Sequence, residues 1–129
     1  MDIINSFSSY LSNNIAECKT FYESTLGLAV SEQMGGLRFQ VPGGQQVFIY
    51  PKDDYQPAEF TVLNFVVADI NAAIDELTSR GAVFERYGSD ALPAEQDERG
   101  VLRGKSAGMG PDIAWFKDPA GNILSLIEE

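Results

Sequence analysis

Two apolar runs, residues 112–117 and 123–127, flank Asp118-Pro119-Ala120-Gly121-Asn122 near the end of the chain, and no other stretch restricts the fold so tightly. Aspartate opens a type I turn, proline presets φ at the second turn position, and glycine takes the left-handed conformation that closes a bulged hairpin. With Asp118 and Asn122 paired across the turn, Trp115 falls opposite Ser125 on one face of the sheet. Phe116, Leu124 and Leu126 then share the other face. Neither face is polar enough to be left in water, so both need cover, from helices or from a second wall around a cavity.

The same turn chemistry organises the rest of the chain. Residues 3–10 read as a strand, and Asn14 as a helix N-cap with Glu17 at capping-box spacing. Ile15, Cys18, Tyr22 and Leu26 form one helical stripe that Gly27 stops. Strands over 28–34, 37–41 and 45–50 follow, with Gly35-Gly36 and Pro42-Gly43-Gly44 between them. A polar linker covers about 52–59, and then the pattern restarts. Residues 60–67 read as a strand, Asp69 caps a helix with Ile70, Ala73, Ile74 and Leu77 inward, Gly81 stops it, and 83–87 is the next strand. Residues 88–110 break the pattern, and so long a polar loop in a compact domain is functional or lid-like. The reading is an internal duplication, α+β in class: two tandem βαβββ units, about 1–51 and 60–129, in a single domain. Side by side they would form a curved eight-stranded sheet with helices on its convex face and a cavity on its concave face.

Composition narrows the function. The 129 residues are 44% hydrophobic, enough for a buried core, and no apolar run approaches membrane-spanning length. A net charge of −10 argues against nucleic acid and anionic lipid as partners and suits a cationic ligand. The lone Cys18 cannot form an internal disulfide, which points to a reducing cytoplasm, and its place on the helix stripe makes it a core residue. No histidine is present, removing the commonest general base and transition-metal ligand.

Phe21-Tyr22 with Leu26-Gly27-Leu28, then Val67-Ala68-Asp69-Ile70, then Phe116-Lys117-Asp118-Pro119-Ala120-Gly121-Asn122 resemble the vicinal-oxygen-chelate superfamily. That superfamily holds glyoxalase, extradiol dioxygenases, fosfomycin-resistance transferases and bleomycin-resistance proteins. The resemblance covers nearly the whole chain. Its metal enzymes carry ligands on four strands of the concave face. Those positions fall here on Phe7, near Ile49, on Leu63, and on Ser125, where enzymes often read Gly-Asn-x-x-Glu-Leu and this chain reads Gly121-Asn122-Ile123-Leu124-Ser125-Leu126. The resemblance therefore implies a member without the usual metal ligands and without a cofactor.

Phe7, Phe65 and Trp115 share strand parity with those positions, so they either line a ligand cavity or fill the space a metal site would take. Ser125 either orients a ligand carbonyl or bonds within its own sheet. Arg38, Arg99, Arg103 and Lys105 are either solvated surface charges or groups that reach over the pocket mouth toward an anionic group, Arg103 from the lid. The reading these residues favour is metal-independent binding or sequestration of a small organic molecule, as the bleomycin-resistance proteins do, in a homodimer. An alternative is a lyase or isomerase using Asp97 or Glu98 from the lid, or non-standard metal ligands. A third is an interaction module with a packed cavity.

Overall fold

The computed structural model describes residues 1–88 and 90–129. It divides into two compact units, Met1–Pro57 and Ala58–Glu129. Among the described residues no helix is long and apolar enough to cross a membrane.

In the first unit β1 (Ser8–Ser12) leads into α1 (Ile15–Thr20), which widens into a π-helical turn (Phe21–Thr25) and stops at Gly27 with φ +71°. The first strand therefore starts later than residue 3, and Ile3 and Ile4 stay exposed. Asn14 occupies the N-cap position, yet its side chain makes no cap hydrogen bond; its amide donates to Glu17 Oε2 at 3.0 Å instead. Three strands follow, β2 (Val30–Gln33), β3 (Gly36–Gln40) and β4 (Gln46–Pro51), in the sheet order β1-β4-β3-β2. Tyr10, Leu37, Phe39, Val47 and Ile49 alternate onto one face. There they pack with Cys18 and Tyr22 of the helical segment, the Tyr22 ring stacking on Phe39 at 4.9 Å. At Gly36 a Cβ would collide with the Ile49 carbonyl oxygen, so only glycine lets β3 start so close to β4.

The second unit repeats the plan. β5 (Thr61–Val66) feeds α2 (Ile70–Ser79), whose N-cap Asp69 accepts a hydrogen bond from the Ala72 N–H at 3.0 Å. Ile70, Ile74 and Leu77 form its buried stripe. The sheet order is β5-β8-β7-β6, with β6 Leu102–Arg103, β7 Asp112–Lys117 and β8 Ile123–Glu128. A short helix, α3 (Gly104–Ala107), sits between β6 and β7. Each unit thus contributes a four-stranded mixed sheet and one main helix, the tandem βαβββ pattern in the α+β class.

Two features depart from the sequence reading. The edge strand made in one piece as β2 in the first unit is made from two pieces in the second. Phe84 bridges to Phe116 and the Glu85 N–H donates to the Trp115 carbonyl, while Leu102 and Arg103 pair with Ile113 and Asp112. Residues 83–87 are therefore a bridge rather than a full strand. Gln96 of the intervening segment is also tied down on both sides rather than left loose. The Gln96 amide accepts from the Tyr87 N–H at 2.7 Å and donates to the carbonyls of Glu85 and Gly100 at 3.0 and 2.6 Å.

Candidate ligand-binding site

The closing turn sets the register of the site. Asp118 Oδ1 accepts from the N–H groups of Ala120 and Asn122 at 2.9 and 3.0 Å, Asp118 Oδ2 accepts from the Asn122 amide at 2.8 Å, and Gly121 sits at φ +87°. That geometry places Trp115 opposite Ser125. On its other side Ser125 neighbours Asn64 of β5, and the Ser125 hydroxyl donates to Asn64 Oδ1 at 2.5 Å. Trp115, Ser125 and Asn64 thus form a row on the face opposite the buried Ala114, Phe116, Leu124 and Leu126. The Tyr87 ring meets Trp115 edge-on at 5.5 Å. Its phenol oxygen is buried and has no hydrogen-bond partner among the described residues. Burial, then the nearby Glu85 charge, pushes the Tyr87 pKa up, so the phenol stays protonated and able to donate.

The first unit has an equivalent row. The step back from N-cap to strand that leads from Asp69 to Asn64 leads from Asn14 to Ser9. Ser9 neighbours Phe48, and Phe48 neighbours Arg38. The Arg38 guanidinium lies over the Phe7 ring at 4.6 Å from its centroid. Phe7 itself precedes β1 and is half exposed.

Several expected residues fall elsewhere. Leu63 and Phe65 neighbour Leu124 and Leu126 in the ladder, on the helix face, so they do not share a face with Trp115 and Ser125. Asn64 holds the position beside Ser125 that the family resemblance assigns to Leu63. A register shift between Thr61 and Leu63 breaks simple alternation in this strand. Ile49 is likewise fully buried beside Leu37 and Tyr10, and Phe48 takes the far face in its place.

The lid residues are engaged inside the second unit. Arg103 Nε donates to Asp97 Oδ2 at 2.8 Å, Nη2 to Asn71 Oδ1 at 2.7 Å and Nη1 to Asp112 Oδ2 at 3.4 Å. Asp97 Oδ1 also accepts from the N–H groups of Arg99 and Val101, both at 2.9 Å. Burial alone would raise the Asp97 pKa; the Val101 N–H, the Arg103 guanidinium and the Arg99 N–H outweigh it and hold the carboxyl below its ordinary value. An acid so held is a poor proton donor near neutrality, and three hydrogen bonds already occupy most of its lone pairs. Glu98 is exposed beside it. These groups staple the 96–103 segment to α2 and β7.

In the first unit Ser9 and Phe48 offer a hydroxyl and a ring; in the second Asn64 and Ser125 offer an amide and a hydroxyl. None is a carboxylate, thiolate or imidazole, so neither row by itself fits zinc, nickel, iron or manganese. Among the described residues no three His, Cys, Asp or Glu side chains come together as a metal cluster.

Sequence reasoning missed Asn64, Tyr87 and Phe48. Asn64 was signalled as the one amide in an otherwise apolar strand. Tyr87 carried no signal, because only the fold brings it to Trp115.

Two strand–helix–strand–strand–strand units in tandem define a class of small domains built by duplication. A family model for the glyoxalase/bleomycin resistance protein/dioxygenase superfamily matches residues 4–126, and the chain belongs to that superfamily. A superfamily member from Sphaerobacter thermophilus has a similar structure, with TM-score 0.65 at 26% identity over 98% of each chain. The fosfomycin resistance protein FosX from Listeria monocytogenes shares the fold at TM-score 0.69 and 11% identity, over 100% of this chain and 95% of that one. An integron cassette protein from the mobile metagenome of a Halifax Harbour sewage outfall does so at TM-score 0.68 and 19% identity, over 98% of this chain and 100% of that one. No protein of curated function matches in sequence.

Proposed function

We propose that this protein binds or sequesters a small organic molecule against Trp115, without a divalent ion at the strand positions its superfamily's metal enzymes use. The observation that carries the reading is the buried, unpartnered Tyr87 phenol beside the Trp115 ring. A buried donor without an acceptor is costly, and a ligand oxygen or nitrogen would relieve that cost. The ring supplies apolar contact, and the Ser125–Asn64 pair supplies polar groups at the same row. The acidic balance of the chain favours a cationic or neutral molecule at this face. The engaged state of Asp97 gives the lyase or isomerase alternative no support. We extend the proposal to a homodimer, since Ile3, Ile4, Phe60, Val66 and Val83 are exposed and would gain from cover.

Fluorescence of Trp115, the chain's sole tryptophan, tests the binding reading. Titration with benzyltrimethylammonium and with benzyl alcohol should give a saturable change for at least one, weakened in Tyr87→Phe for a probe that accepts a hydrogen bond. No saturable change with either, nor with a wider set of aromatic amines and alcohols, would remove the reading.

A further inference from the structure

Four cations, Arg38, Arg99, Arg103 and Lys105, are the sequence's candidates for meeting an anionic group, and the structure separates them. Arg99 pairs with Asp75 at 2.8 Å, Arg103 with Asp97 and Asp112, and Lys105 with Glu128 at 2.9 Å. Among the described residues, every Lys and Arg except Arg38 and Arg86 reaches a carboxylate within 4.0 Å. Arg86 donates instead to the Asp97 carbonyl at 2.6 Å. Among the described residues Arg38 makes a long side-chain hydrogen bond, Nη1 to Gln33 Oε1 at 3.4 Å, and its buried Nε has no partner. In a chain of net charge −10, a guanidinium left without an acid is the exception that needs a reason.

The surroundings of Arg38 supply one. Phe7 covers one face of the guanidinium, Nε is buried, and Nη1 makes only the long bond to Gln33, so Nη2 and the second Nη1 proton have no partner among the described residues. Arg38 lines a groove of about 470 Å³ beside β2 and β3, with Ser31, Gln40 and Gln46 on its own face of the sheet, while Val30 and Phe39 border the groove from the helix-packed face. A planar fork of N–H donors matches a carboxylate in bidentate fashion. Glu23 also lines the groove, and the whole chain is acidic, so a dianion such as phosphate is repelled more strongly than a monoanion. We propose that this groove binds the carboxylate of a small apolar organic acid, with Arg38 as its anchoring residue. The site lies in the first unit and does not depend on the Trp115 reading.

The test is ¹H–¹⁵N NMR of the full chain, reading the Arg38 Nε–H and the amides of Val30, Ser31 and Gln40 against benzoate, benzamide and inorganic phosphate. Benzoate should shift these resonances saturably. Benzamide, which keeps the ring and loses the charge, should bind at least roughly tenfold more weakly, and phosphate likewise. Arg38→Gln should abolish the benzoate shifts in a spectrum that remains dispersed, and Arg38→Lys should keep binding weakened by roughly tenfold, since the charge survives and the fork does not. The proposal falls if benzoate leaves the Arg38 Nε–H unmoved, if benzamide or phosphate binds as tightly, or if Arg38→Gln binds benzoate unchanged. The Trp115 indole N–H in the same spectra reports the other site, so failure of one reading is distinguishable from failure of the other.

Discussion

Replacing Asp97 by alanine should destabilise the protein without acting on a reacting group. The side chain accepts two backbone N–H bonds, from Arg99 and Val101, and one charge-assisted bond from Arg103. The two backbone bonds also end on the carboxylate, so all three are charge-assisted, worth about 1.5–3 kcal/mol each in full burial. The Asp97 and Arg103 side chains are 31% and 32% exposed, so solvent screens part of that and water replaces part of it. Arg103 also keeps Asn71 and Asp112. The expected loss is about 2–3 kcal/mol by urea titration, or roughly 6–10 °C in Tm for a chain of this size. A double-mutant cycle with Arg103→Met should return a coupling of about 1 kcal/mol. The folded pKa of Asp97 lies below its unfolded value, so its contribution is complete above about pH 4 and is lost as pH falls through the folded pKa. Wild type and variant should therefore converge in stability in strong acid. A loss under about 0.5 kcal/mol with no coupling would refute the staple, and the segment would return to being a lid.

Trp115→Ala should weaken a bound aromatic probe by about 1–3 kcal/mol. Trp115 is half-buried, so a stability loss of about 3–5 kcal/mol with unchanged binding would make it core instead. Tyr87→Phe should leave the melting temperature unchanged or slightly higher, because it removes a buried donor that has no partner; a clear drop would mean that the phenol is bonded within the fold. Sedimentation at micromolar concentration should give twice the 14.1 kDa chain mass, and the chain mass alone would rule out the dimer.

The hairpin at Asp118–Asn122 was legible because its turn residues and flanking runs are contiguous, so local chemistry alone pairs Trp115 with Ser125. The N-cap Asp69 and the stop at Gly27 were legible for the same reason. The row across β5 was not, because neighbours in a parallel ladder lie far apart in sequence, and a one-residue error in register, the difference between Leu63 and Asn64, exchanges the two faces. The role of Arg103 was hidden for a related reason. An arginine in a polar loop has the same appearance whether it meets a ligand or three acceptors of its own chain, and Asn71 and Asp112 become its partners only on folding.

Metal content and native mass spectrometry of the protein as purified, before any chelator, bear most directly on a binding protein that dispenses with the superfamily's metal. We expect metal well below one ion per chain, a melting temperature that chelator leaves unchanged, and an added organic mass that Trp115→Ala releases. One tightly held divalent ion per chain, whose removal lowers the melting temperature and whose return restores it, would contradict the account.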